Sequence, residues 1–180
     1  MLKFKVETNW CVITGAPSSG KTSVIDELGK RGYQTDPEVA RDLIEECLRR
    51  GQKIEEVRAR SDWLQNEILR LKLGRERQQD PKKLVFLDRG IPDSLTYFRI
   101  AGLDLYAVTV AATEFFYRHV FIFDRLSLIN DGIRTESDVI AQEIDIALEK
   151  DYRDLGYSPI RVPVMPIVVR ADFILRTINK

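Results

Sequence analysis

Apolar residues recur along the chain in two rhythms. Trp10-Cys11-Val12-Ile13, Leu84-Val85-Phe86-Leu87 and Val120-Phe121-Ile122-Phe123 are short unbroken runs, the signature of strands buried on both faces of a parallel sheet. Elsewhere the spacing is helical, as in Leu43, Ile44, Cys47 and Leu48, in Val57, Leu64, Ile68 and Leu71, and in Ile140, Ile144, Leu148, Tyr152 and Leu155. The pattern predicts strands at about 10–14, 33–36, 84–87, 119–123 and 160–164. Helices are expected at about 21–30, 38–50, 54–79, 92–101, 106–116, 137–155 and 167–178. Gly32 and Gly51 terminate two of them, Asp80-Pro81 stops a third, and Gly74 weakens the long one in its interior. The dense charge of residues 54–79 reads as a solvated face. Strands and helices in alternation, joined by right-handed crossovers, give an α/β fold with a doubly wound parallel sheet of five strands. Such sheets bind ligands beyond the carboxyl ends of their strands.

The first strand runs into Gly15-Ala16-Pro17-Ser18-Ser19-Gly20-Lys21-Thr22, and Ser23 continues into a helix-compatible segment. This is G-x-x-x-x-G-K-[ST] in its required context of strand, loop and helix. Backbone N–H groups of such a loop converge on phosphate oxygens, and the helix N-terminus behind them adds a favourable dipole. Lys21 is placed to reach the β- and γ-phosphates and Thr22 to ligate Mg²⁺. Pro17 has no N–H to donate, so its part is to fix the turn.

Other candidates fall at the same strand ends. Asp88 closes an apolar strand and is the first choice for the metal-site acid; Asp124 closes a similar run and is its rival. Arg89 follows Asp88 where water-activating ATPases carry a second acid, which argues against a motor-type machine. Glu38 stands after the second strand, placed to take a proton from an acceptor hydroxyl, and Arg41 follows on the same helix face, to hold a substrate or orient Glu38. Arg125 and Arg134 flank a polar loop containing Asp131-Gly132, the makings of a lid over the polyphosphate. Tyr97, Tyr106 and Phe115-Phe116-Tyr117 are read as core aromatics before pocket liners, and His119, without Cys or His partners, as no metal ligand. No Asn-Lys-x-Asp element selects guanine, which leaves ATP as the expected nucleotide.

Composition narrows the classes. The 180 residues carry 28 basic and 28 acidic side chains, so no net field draws nucleic acid or an anionic membrane. No apolar run is long enough for a membrane helix, and the first residues show no signal-peptide core. Cys11 and Cys47 sit at apolar positions and read as small hydrophobes. The expectation is one cytoplasmic domain, 1–180, with a lid region at about 124–140.

Five blocks then occur in a fixed order: the loop from Thr14 to Thr22, Pro37-Glu38-Val39-Ala40-Arg41, Asp88-Arg89-Gly90-Ile91-Pro92-Asp93, Asp131-Gly132-Ile133-Arg134-Thr135-Glu136 and Ala171-Asp172-Phe173-Ile174-Leu175. Together they resemble the small P-loop ATPases labelled "AAA domain" that are similar to the kinase domain of NadR. The resemblance implies a three-layer, nucleotide-kinase-like P-loop nucleoside triphosphatase fold with sheet order 2-3-1-4-5, ATP with Mg²⁺, and a lid at the Asp131-Gly132 block. It also implies that Glu38 and the Asp88-Arg89 pair stand beside an acceptor hydroxyl.

Two functions follow as expectations. One is an ATP-dependent phosphotransferase acting on a small hydroxyl-bearing metabolite such as a nucleoside. Lys21, Thr22 and Asp88 would hold MgATP, Glu38 would act as base, and Arg125 and Arg134 would clamp the transferring group. The other is a nucleotide-dependent switch or binding module, ATPase or GTPase, read by a protein or lipid partner.

Overall fold

The computed structural model describes residues 4–126 and 135–179, with side chains from 139 onward in the second stretch. Five strands, β1 (Cys11–Thr14), β2 (Gln34–Asp36), β3 (Val85–Asp88), β4 (His119–Phe123) and β5 (Ile160–Val162), form a parallel sheet in the order 2-3-1-4-5. Register carries the strand ends to a common edge. Ile13 lies opposite both Asp88 and Phe121, and Asp36 lies opposite Leu87. The residues just past β1, β2 and β3 therefore meet.

The helices are α1 (Lys21–Lys30), α2 (Val39–Arg49), α3 (Ile54–Ala59), α4 (Ser61–Gln78), α5 (Asp93–Ile100), α6 (Tyr106–Ala111), α7 (Thr135–Asp154) and α8 (Ile167–Ile178). Strand alternation divides the core between the two faces of the sheet. Cys11, Ile13, Phe86, Phe121 and Phe123 pack on Val24, Ile25 and Leu28 of α1 and on Ala171, Ile174 and Ile178 of α8. Trp10, Val12, Val85, Leu87, Val120 and Ile122 pack on Leu69 of α4, Leu95 and Phe98 of α5, Val108 of α6 and Tyr152 of α7. Each such side chain taken fully out of water contributes about 1.5–3 kcal/mol. A third, smaller core joins α2, α3 and α4 through Val39, Cys47, Val57, Leu64 and Ile68. Among the described residues no helix is long and apolar enough to cross a membrane.

Three expectations are corrected. The stretch 54–79 is broken at Arg60 (φ −90°, ψ 55°) and runs unbroken through Gly74. Its charged side is only partly solvated, because Lys72 and Glu76 are buried. They share the spacing of Leu69 and Leu73, which turns a second face of α4 inward. The helix expected over 106–116 stops at Ala111; Phe115–Phe116 instead pairs in parallel with Val6–Glu7.

Candidate functional site

The loop after β1 wraps tightly against β4. Gly15 has φ 140°, and a Cβ there would stand 2.7 Å from the Phe123 carbonyl oxygen, so only glycine fits. Lys21 opens α1, is almost fully buried, and folds back over the loop, its Nζ donating to the Ala16 carbonyl (2.8 Å) and Ser19 Oγ (3.2 Å). Burial, reinforced by the nearby Arg89 charge, pushes its ammonium down to about 7 against the opposing pull of Asp88, Glu38 and Asp93. Among the described residues the hydrogen-bond partners of Lys21 are neutral oxygens, so the loop could hold a phosphate-bearing anion.

Thr22 Oγ1 donates to Asp88 Oδ2 at 3.0 Å, while the buried Asp88 Oδ1 has no hydrogen-bond partner among the described residues. Burial, followed by the Glu38 charge, raises the Asp88 pKa; Arg89 and Lys21 oppose the rise. A hydroxyl and an orphaned carboxylate oxygen side by side are hard oxygen donors of the kind that suits Mg²⁺. The Asp124 carboxylate is 3.4 Å from Arg161, whose guanidinium also holds Asp145 and Glu149 of α7. Among the described residues, no group of three or more His, Cys, Asp or Glu is arranged as a metal site.

Glu38 caps α2 with extended backbone and accepts from Arg89 Nε at 2.9 Å. Arg89 Nη1 donates to Asp93 Oδ1 at 3.0 Å, and its guanidinium lies 5.4 Å from the Tyr97 ring centroid. Asp93 is wholly buried and accepts from Thr14, Arg89, the Gly90 N–H and Tyr152. Burial alone would raise its pKa; the charges of Lys72 and Arg89 and those hydrogen bonds hold it below the usual carboxylate value. The orientation of Glu38 thus comes from Arg89, whereas Arg41 is exposed on the next turn of α2.

Lys21, Thr22, Glu38 and Arg89 line a cavity of about 540 Å³. It runs from Ser18, Lys21 and Thr22 past Glu38 and Arg89 to a cleft between α2, α4 and α5, walled by Ile44, Leu64, Ile68 and Tyr97 and edged by Arg41, Gln65 and Ser94. Of the other aromatic candidates, Tyr106 is exposed, and Phe115 and Tyr117 are core residues. His119 is half-buried with its ring 5.9 Å from that of Phe121. Arg125 follows Asp124 and is half-buried; Arg134 and the Asp131-Gly132 turn lie outside the described residues, as does much of the lid region expected at 124–140.

Several residues of the site carry little sequence signal. Asp93 reads as a helix-start acid, Lys72 as one charge among many, and Arg170 as a C-terminal helix cation. Yet Arg170 is buried, donating Nη1 to the Ser19 carbonyl (2.6 Å) and Nε to Pro163 (3.0 Å) over the Phe123 ring.

A family model described as "AAA domain" matches residues 10–170. No curated protein matches the chain. Among solved structures, NadR protein in complex with NR superposes with a TM-score of 0.68 at 16% identity, covering 96% of this chain and 52% of that one. The chain therefore spans about half the length of that NadR structure. Thymidylate kinase from Ehrlichia chaffeensis gives 0.61 at 13% identity, over 97% of this chain and 100% of that one. Deoxyadenosine kinase from M. mycoides, with products dCMP and dCDP bound, gives 0.59 at 17% identity, over 94% and 98%. At these identities the likeness is one of fold: a nucleotide-kinase-like P-loop domain with a five-stranded parallel sheet.

Proposed function

The chain belongs to the AAA domain family, and we propose that it transfers the γ-phosphoryl group of ATP to a hydroxyl of a small metabolite such as a nucleoside. The observation that carries this reading is the continuity of the cavity, which joins the phosphate loop at Lys21 and Thr22 to the Glu38–Arg89 pair. A donor site and a proton-accepting carboxylate facing one space are what phosphoryl transfer requires, since its catalysis is mainly positioning and charge neutralisation.

Backbone N–H groups of the loop from Gly15 to Thr22, Pro17 excepted, cradle the phosphates, and Lys21 swings from Ala16 and Ser19 onto them. Thr22 and Asp88 hold Mg²⁺, which when bound neutralises charge on the phosphate oxygens. Glu38, steadied by Arg89, accepts the proton of the acceptor hydroxyl as its oxygen bonds the γ-phosphorus. The bond to the bridging oxygen breaks and ADP departs. Arg125 and Arg134 are the proposed clamp on the transferring group.

Charge selects the acceptor. The buried cations on the acceptor side are committed, Arg89 to Glu38 and Asp93, and Lys72 to the Gly90 carbonyl. Arg41 remains, exposed at the rim. A neutral alcohol with an apolar or aromatic body fits this cleft better than a phosphomonoester. The test is a panel of nucleosides, nucleotides and small alcohols with MgATP, analysed by mass for a phosphorylated product. Steady ATP hydrolysis with no phosphorylated acceptor would sink the reading.

A further inference from the structure

The turn after β3 is strained and unusually well held. Arg89 has φ 72°, a left-handed conformation that strains a non-glycine residue. A Cβ on Gly90 would meet Tyr152 Oη at 2.8 Å and Tyr117 Cε2 at 3.0 Å, so the turn is clamped from the sheet side as well. Arg89 N–H bonds the Ile13 carbonyl, Gly90 N–H bonds Asp93, and Ile91 N–H bonds the Tyr117 hydroxyl. The Gly90 carbonyl is the acceptor of the set, taking a long hydrogen bond from the Asp93 N–H (3.3 Å) and a shorter one from Lys72 Nζ (2.8 Å).

The Asp93 N–H already serves that carbonyl, so a buried lysine there calls for another reason. Asp93 and Glu38 are two carboxylates flanking one guanidinium. Burial lowers the Lys72 pKa and the Arg89 charge adds to this, while Asp93, Glu76 and Glu38 favour its charged form; Lys72 also lines the acceptor end of the cavity. Without it, the wholly buried Asp93 would draw Arg89 to itself, because an unbalanced carboxylate there is costly. We propose that Lys72 is a positioning residue: by holding the Gly90 carbonyl and balancing Asp93, it keeps the Arg89 guanidinium shared with Glu38. Its importance to turnover rests on the phosphotransferase reading above; its effect on Arg89 does not.

The full chain, labelled at arginine, tests this by NMR through the Arg89 Nε–Hε signal, assigned by its loss in Arg89→Lys. Lys72→Met and Lys72→Gln should shift that signal and speed its hydrogen exchange by about tenfold or more. Lys72→Arg, which keeps charge and donors, should restore it toward wild type. An unchanged signal in the uncharged variants overturns the proposal, as does failure of both to fold. Given an acceptor, Lys72→Met should lower kcat by about tenfold while leaving the KM for ATP within about twofold. A raised KM for ATP with kcat unchanged would contradict it. If wild type phosphorylates no acceptor, the functional reading fails while the Arg89 signal still decides the role of Lys72.

Discussion

Arg89 and Glu38 stand 51 residues apart in sequence and 2.9 Å apart in space, joining the end of β3 to the cap of α2 across the mouth of the cavity. The guanidinium is buried and simultaneously held by Asp93, so its two carboxylate partners fix it from opposite sides. Its planar guanidinium holds the two acids on separate nitrogens in a fixed geometry, where a lysine ammonium offers rotatable donors on a single nitrogen.

Replacing Arg89 with Met should therefore be severe. Removing one partner of a buried ionic network leaves the Asp93 charge short of one of its two balancing cations, at a cost on the order of 3–5 kcal/mol. Denaturant unfolding should show a lowered midpoint at an unchanged slope; a midpoint close to wild type would mean that Asp93 is satisfied without Arg89.

Lys21→Ala should abolish thermal stabilisation by MgATP, which in wild type is about 2.7 kcal/mol at a hundredfold excess over Kd. The apo protein should be no less stable than wild type near neutral pH. The folded-state pKa of Lys21 lies near 7, below its ordinary 10.5, so its burial opposes folding when charged, and that penalty is relieved as pH rises between those values. Polyphosphate reverses the shift, so MgATP binding just above pH 7 should take up a proton, measurable by calorimetry in buffers of different ionisation enthalpy. Retained MgATP stabilisation in the variant would refute the site.

Glu76 gives a pH signature of opposite sign. Burial raises its carboxyl from 4.5 to about 8, although the Tyr117 hydroxyl donates to it (3.0 Å) and Lys72 is near. A raised folded-state pKa contributes stability in full below pH 4.5, and that contribution is lost as pH climbs to about 8. Glu76→Gln removes the titration, so the gap between variant and wild type should change steadily across that window in favour of the variant. Parallel stability curves between pH 5 and 8 would show that Glu76 does not titrate there.

How much of this was legible varies by residue. The loop from Gly15 to Thr22 was legible because its glycines, lysine and threonine answer to phosphate geometry wherever strand and helix flank them. Asp88 and Glu38 were legible as acids at strand ends, the edge where parallel sheets bind ligands. Alternation of strands and helices does not fix sheet order; the order 2-3-1-4-5 came with the family resemblance. Lys72 and Glu76 were not legible, since on a charged helix buried ionisable residues have the same letters as solvated ones. Their burial follows from Tyr117 and Gly90, which are remote in sequence. The break at Arg60 was missed for a related reason. Gly74 looked like the weaker point by propensity, but packing of α4 on both the sheet and α2 carries the helix through it.

The measurement that bears most directly on the account is transfer of label from γ-phosphate-labelled ATP, run in parallel on wild type and Glu38→Gln. The account predicts label in an organic acceptor for wild type and a fall of about a hundredfold or more in the variant, with MgATP stabilisation unchanged. Label appearing only as inorganic phosphate, or equal transfer by both proteins, would contradict it.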